Sequence, residues 1–262
     1  MTEYRWERLT APELKARAAA GALVVLPIGS LEQHGPHLPV WTDSYCAHEI
    51  ALRGVAEAGA PAVVLPPLWL GLSEHHLPFG GTITLDHATF HAVLRCVVRS
   101  LLADGFARLL IVNGHGGNID PLAVSTRELA VEFGIPVVVT TWPQLAPQEI
   151  GAILSTQAGV QHACEAETSL WLALDAAQVR HEKVAEAMSN PPPNPPAGMV
   201  RYRSFMERAP RTGVRGDPRA ATAEKGEAIL AAVCGALARA IQDPGLWSPP
   251  DLVWEKGRAQ RG

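Results

Sequence analysis

Residues 22–43 read ALVVLPIGSLEQHGPHLPVWTD. The first eight form a short, continuous apolar run closed by glycine, the pattern of a strand buried on both faces. Such a strand belongs in a parallel sheet covered by helices, so this stretch points to an α/β protein. Directly behind it stand Glu32, His34, His37 and Asp43, on a loop bent by prolines and glycines. In open α/β sheets, ligands bind beyond the carboxyl ends of the strands, where this loop lies.

The alternation continues on both sides. Residues 10–21 (TAPELKARAAAG) read as a helix with Thr10 as N-cap, and 44–59 as a second helix ending in glycine. Residues 60–71 (APAVVLPPLWLG) give a second strand and 85–105 a long helix. FARLLIVNGHGGN (106–118) is a third strand running into a Gly-rich turn, followed by a helix over 119–134 and a strand over 135–142. Further helices are expected over 163–174 and 222–242. Strands alternating with helices of this length predict βαβ units and a mostly parallel sheet. One domain is expected over 1–262, with its core at about 21–242 and a peripheral tail at 243–262. Residues 189–218 form a Pro-, Gly- and Arg-rich excursion that reads as a lid, an oligomer contact or a mobile loop.

Composition narrows the function. Hydrophobic residues make up 47% and charged residues 18% of the 262, enough for a sizeable core. The formal charge of −4 argues against a nucleic-acid binder. No stretch is long and apolar enough for a membrane span, and the polar start MTEYRWERLT has no secretory h-region. The four cysteines show no CxxC pair, which suits reduced thiols in a cytoplasmic protein.

Three loops leave strand ends and should converge. The first carries Glu32, His34 and Asp43; the second carries Ser73, Glu74, His75 and His76; the third carries Asn113, His115 and Asn118. Glu32 and His34 alternate, which places both on one side of an extended segment. Carboxylate with imidazole suits Zn, Mn or Fe. Asp43 reads either as a bridging carboxylate or as a helix N-cap. HACEAETS (162–169) adds His162, Glu165 and Glu167 near a helix start, with Glu167 a further oxygen ligand. His87 and His91 share a helix face and read as surface or packing residues. GHGGN is not a GxGxxG fingerprint. Two rival readings stand beside the metal site. One is a phosphate-binding nest at NGHGGN. The other is a non-catalytic binding protein that keeps metal for stability.

At LPIGSLEQHGPHLPVWTD, GLSEHHLPFGGTITLD, IVNGHGGN, HACEAETSL and GVRGDPRAATAEKG the chain resembles the creatininase (creatinine amidohydrolase) family, from about Leu23 to Ile241. The resemblance implies a single three-layer αβα domain, two divalent metal ions and a homohexamer built as a trimer of dimers. Glu32 and His34 would each hold one ion, Asp43 would bridge them and His115 would complete the first set. Creatinine-hydrolysing members carry a ligand glutamate where this chain has Gly117, so Glu167 of the ETS motif is expected to replace it. Ser73 matches a substrate-contacting serine, and His76, Gly116 and Gly117 fall on the substrate side. His162 matches a histidine beside the reacting group and is expected to protonate the leaving nitrogen, with Glu165 a second candidate. Two departures bear on the substrate. Ala158–Gln161 replaces a Trp-Asp-x-Glu segment, and Gly116-Gly117 replaces Tyr-Glu. The implied reaction is cleavage of a C–N bond in a small-molecule amide such as creatinine. Relatives with the GHGGN form include a formamide hydrolase and the mycofactocin-precursor peptidase.

Overall fold

Short apolar runs set between helices leave their backbone groups to pair with one another, and four of them do so here. The computed structural model describes residues 2–189, 196, 199 and 201–250. In chain order the elements are α1 (Ala11–Ala19), β1 (Leu23–Ile28), α2 (Thr42–Ala58), β2 (Ala62–Val64), α3 (His87–Ala103), β3 (Leu109–Asn113), α4 (Ile119–Phe133) and β4 (Val137–Thr141). There follow α5 (Pro147–Ile153), α6 (Glu165–Asp175), α7 (Val184–Ala187), α8 (Phe205–Arg208) and α9 (Ala223–Gln242).

The described strands form one sheet in the order β2-β1-β3-β4, and every pair is parallel. Alternating residues of β1 face opposite layers. Leu23 and Val25 pack with α2, α6 and α9, while Val24, Leu26 and Ile28 pack with α3 and α4. The result is the expected three-layer αβα arrangement. The strand order reverses between β1 and β3, whose last residues Ile28 and Asn113 are partners. That switch point opens a crevice at the carboxyl ends of the two strands.

Some boundaries differ from the expectation. β2 spans only Ala62–Val64 because Pro66 and Pro67 remove two backbone donors; pairing resumes as a single bridge between Ile28 and Leu68. The helix after the first loop starts at Thr42 with Trp41 at the N-cap, so Asp43 lies inside the first turn and is not a cap. That turn rests directly on the strand ends. A Cβ on Gly29 would meet the Ser44 nitrogen at 2.3 Å, and one on Gly114 would meet the Asp43 carbonyl oxygen at 2.2 Å.

Of the 189–218 excursion, residues 201–218 fold back onto the crevice. Arg215 pairs with His162, and Gly216 with Ser189, as isolated antiparallel bridges. Much of 190–200 and all of 251–262 lie outside the described residues. Among the described residues no helix is long and apolar enough to cross a membrane.

Candidate metal centre

The three loops expected to converge do so. Asn118 ties them together: its side chain accepts from the Leu72 amide and donates to the Gly29 carbonyl and to Asn113 Oδ1. Asn113 in turn donates to the His115 carbonyl at 2.7 Å and accepts from its amide. Both asparagines therefore fix the turn that presents His115. The amides of Gly114, His115 and Asn118 are used within the chain, which weighs against a phosphate nest there.

Glu32, His34, Asp43, His115 and Glu167 are all buried and meet at the mouth. Asp43 stands between the two histidines. Its Oδ1 is 3.1 Å from His34 Nε2 and its Oδ2 is 2.9 Å from His115 Nδ1. Glu32 Oε2 is 3.1 Å from His115 Nδ1, and Glu167 Oε2 is 4.0 Å from His34 Nε2. Glu32 Oε1, His34 Nε2 and Asp43 Oδ2 are buried and have no hydrogen-bond partner among the described residues despite these close approaches. Donors on one tetrahedral ion at about 2.0–2.1 Å would stand about 3.3 Å apart, close to the observed separations.

The far sides of the histidines fit the same purpose. His115 Nε2 lies 3.0 Å from the Leu72 carbonyl, and His34 Nδ1 lies 3.2 Å from the Glu32 carbonyl. A metal-ligating imidazole typically donates its other N–H in this way, which fixes the tautomer and turns the free lone pair to the ion. The residues present thus fit metal binding: among the described residues Glu32, His34 and Asp43 bring ligand atoms within 4.8 Å of one another, as do His34, His162 and Glu167.

Electrostatics agree with a cation site. Burial alone would depress the His34 imidazolium, but Asp43, Glu167 and Glu32 together raise it to about 9. Against the same burial, His34 and His115 hold Asp43 well below the usual carboxylate range. Burial lifts Glu167 to about 7 despite His34.

His162 lies at the edge of the cluster. Its Nε2 donates to the Gln33 carbonyl at 2.7 Å, leaving Nδ1 facing Glu32 Oε1 at 3.5 Å. Burial and the neighbouring His34 and His76 depress its pKa and keep it neutral. His76 Nε2 is 3.2 Å from Glu32 Oε1, and both His76 and His162 line the crevice with Gly116 and Gly117.

Two expectations are corrected. Glu165 does not reach the site. Its carboxylate accepts from the amides of Ser155 and Thr156 and from Thr156 Oγ1 at 2.6 Å, and it pairs with Lys225. Glu165 and Glu167 lie two residues apart on α6, about 200° around the helix, so only one can face the cluster of Glu32, His34, Asp43 and His115. Ser73 is fully buried beneath Glu32 rather than on the crevice wall. Its hydroxyl donates to Glu32 Oε2 at 2.5 Å, a support for the ligand. His37 also turns away, toward Thr168 Oγ1 at 2.9 Å. His91 packs against Ser125, as its helical position suggested.

Gly117 explains the departure at that position. A Cβ there would meet His115 Nε2 at 2.4 Å and the Leu72 carbonyl oxygen at 2.5 Å, so this backbone admits no side chain. Glu167 of α6 brings a carboxylate oxygen to 4.0 Å from His34 Nε2.

The crevice has a volume of about 1400 Å³. Sequence reasoning missed its outer wall. Phe205 stacks on His76 with centroids 3.9 Å apart and meets His162 edge-on at 4.6 Å. The Arg208 guanidinium lies over the Phe205 ring, 4.7 Å from its centroid. Gln33 was missed as well; its Nε2 lies 3.0 Å from both His76 Nδ1 and His162 Nε2. The available signal was an aromatic residue among arginines within 201–215, inside a stretch otherwise rich in proline.

A family profile described as "Creatininase: Creatinine amidohydrolase" matches residues 7–241. The chain belongs to the creatininase family. As such it is an amidohydrolase, a hydrolase of C–N amide bonds. It is 33% identical over 232 residues to the mycofactocin precursor peptide peptidase of Mycolicibacterium smegmatis, covering 87% of this chain and 86% of that one. It is 30% identical over 258 residues to the creatinine amidohydrolase of Pseudomonas putida, covering 90% and 95%. A manganese creatininase superposes with a TM-score of 0.77 at 30% identity, covering 92% of this creatininase-family chain and 98% of the solved one. A further solved structure, of a creatininase point mutant, is of a Zn–Zn type.

Proposed function

We propose that this enzyme cleaves an amide bond larger in surroundings than creatinine, using two divalent ions, Zn, Mn or Fe. The observation that carries the reading is Asp43, whose two oxygens face His34 and His115 separately. Two ions held there supply a water of lowered pKa and a Lewis acid for the substrate carbonyl. Glu32, His34, Asp43, His115 and Glu167 hold and neutralise them. Ser73 and Asn113 orient Glu32 and His115. His162 takes and returns a proton at Nδ1, because its Nε2 hydrogen is committed to Gln33. Such a group contributes on the order of 10²- to 10⁴-fold in rate. His76, Gly116 and Gly117 form the substrate wall, and Phe205 closes it to water.

A peptide or formamide substrate is favoured over creatinine by three observations. The crevice of about 1400 Å³ exceeds the roughly 300–1000 Å³ of ordinary small-ligand pockets. Ala158–Gln161 and Gly116-Gly117 lack the creatinine-type residues. The relative at 33% identity is named as a peptide peptidase. Family membership further supports a single domain over 1–262, a homohexameric trimer of dimers and a cytoplasmic location.

The test is to prepare the protein metal-free, restore Zn²⁺ or Mn²⁺, and assay cyclic amides, formamides and short peptides. Turnover should follow metal content, and His162→Ala should retain metal while losing about 10²- to 10⁴-fold in kcat. Full activity without metal would remove the mechanism. Loss of metal in His162→Ala would reassign that residue as a ligand.

A further inference from the structure

Gln33 lies between Glu32 and His34 in sequence, is buried, and has no place in the ligand set. Its side-chain amide is fully engaged. Oε1 accepts from the Gly35 amide at 2.9 Å, and Nε2 donates to the Gly213 carbonyl at 3.0 Å. The Gly35 amide can only donate and the Gly213 carbonyl can only accept, so the orientation of the Gln33 amide is settled. Both partners need glycine. Gly35 and Gly213 have φ of +66° and +72°, and a Cβ on Gly213 would meet Gln33 Oε1 at 2.1 Å.

One Nε2 hydrogen of Gln33 is left, and one acceptor is within reach of it. His76 Nδ1 lies 3.0 Å away. His162 Nε2 is as near, but it also lies 2.7 Å from the Gln33 main-chain carbonyl, so it carries a hydrogen and is itself a donor. His76 Nδ1 is therefore the acceptor, and the hydrogen of that ring sits on Nε2. The two rings, with centroids 4.7 Å apart, then face the same oxygen with opposite polarity. His76 Nε2 turns a hydrogen toward Glu32 Oε1 at 3.2 Å, and His162 Nδ1 turns a lone pair toward it at 3.5 Å. A carboxylate oxygen and a lone pair repel, so Glu32 does not take up His162 Nδ1, which stays available to the crevice that His162 lines.

We infer that Gln33 is a positioning residue of the reaction: its side chain fixes His76 as a donor at Nε2, and its main chain fixes His162 as an acceptor at Nδ1. That role rests on the amidohydrolase reading, in which His162 moves a proton at Nδ1, and supplies what holds this nitrogen free. It also ties the two histidines to the segment over 201–218, because the Gly213 carbonyl is one of the two groups that orient the amide.

The test reads ring protonation directly. Zn-loaded protein carrying ¹⁵N-labelled histidine is measured by solid-state ¹⁵N NMR as wild type, Gln33→Glu and Gln33→Met, with His76→Gln and His162→Gln assigning the two rings and metal content measured on each. In wild type both rings should carry hydrogen on Nε2 and none on Nδ1. Gln33→Glu sets an acceptor beside His76, so His76 Nδ1 should become protonated, while His162 keeps its pattern because its partner is the main chain. Gln33→Met keeps the length and removes the donor, so the His76 Nδ1 signal should move to that of a nitrogen with no donor. On the best substrate of the amide panel, kcat should fall about tenfold or more in Gln33→Glu with KM little changed. A protonated His76 Nδ1 in wild type, or a His76 pattern that is the same in all three proteins, overturns the proposal. So does a moved proton with unchanged kcat. Should Gln33→Glu not fold or not hold Zn, wild type and Gln33→Met decide by the same signals. The expected ring pattern in a protein that cleaves no amide would uphold the positioning by Gln33 and remove the amidohydrolase reading.

Discussion

Gly114 and Asp43 touch through their backbones: a methyl group at 114 would lie 2.2 Å from the Asp43 carbonyl oxygen. The glycine at the end of β3 therefore sets how deeply the first turn of α2 can settle. Gly114→Ala must lift that turn and carry Asp43 out of line with His34 and His115. We expect a loss of roughly 1–3 kcal/mol in stability and a marked loss of bound metal, read by denaturant unfolding and elemental analysis. A variant with its full metal complement would show that Asp43 tolerates the displacement.

On the proposed two-ion arrangement, removing Asp43 should differ from removing Glu167. Asp43→Ala is expected to abolish binding of both ions, whereas Glu167→Gln should weaken only the one near His34. Calorimetric titration of Mn²⁺ or Zn²⁺ separates the two outcomes by stoichiometry. Parallel loss in both variants would contradict the bridging geometry.

The raised pKa of His34 gives a pH dependence to the metal-free protein. Its folded value of about 9 lies above the unfolded 6.5, so the folded state holds the proton more tightly. That stabilisation is complete below pH 6.5 and is lost as pH rises through about 9. His115 shifts in the same direction. Metal binding requires the unprotonated ring, so apparent affinity should climb over the same interval. Urea unfolding of metal-free protein from pH 6 to 10 should show the decline, and His34→Gln should reduce it. A flat profile would place the proton elsewhere.

Glu165 should behave as a structural residue. Its contacts join the end of α5 to α9 through Ser155, Thr156 and Lys225. Glu165→Gln is expected to cost about 1–3 kcal/mol by weakening buried charge-assisted hydrogen bonds. Metal stoichiometry should remain at the wild-type value. A variant of normal stability that loses turnover would return Glu165 to the reaction.

Local pattern and strand order account for what could be read in advance. The run at Leu23–Ile28 and the glycine after it disclosed β1, and adjacency of β1 with β3 then brought Glu32 and His34 to His115. Asp43 reads from sequence as a bridging carboxylate or as an N-cap, because nothing in the sequence shows that Trp41 takes the cap position without a side-chain hydrogen bond. Glu165 was separable from Glu167 by helical phase, had that been applied. Ser73 was misplaced because depth below a surface is not a property of a loop sequence. Phe205 is invisible for another reason: its contacts with His76 and His162 depend on a Pro-rich segment folding back across the crevice, which has no periodic signature.

The ligands reach from Glu32 to Glu167 along the chain, and they meet only after β1 and β3 have paired and α6 has docked. No fragment holding the first loop alone carries the whole set. A cation held by all five residues would therefore tie the first loop, the β1–β3 pair and α6 into one unit, and its full affinity would require all three in place.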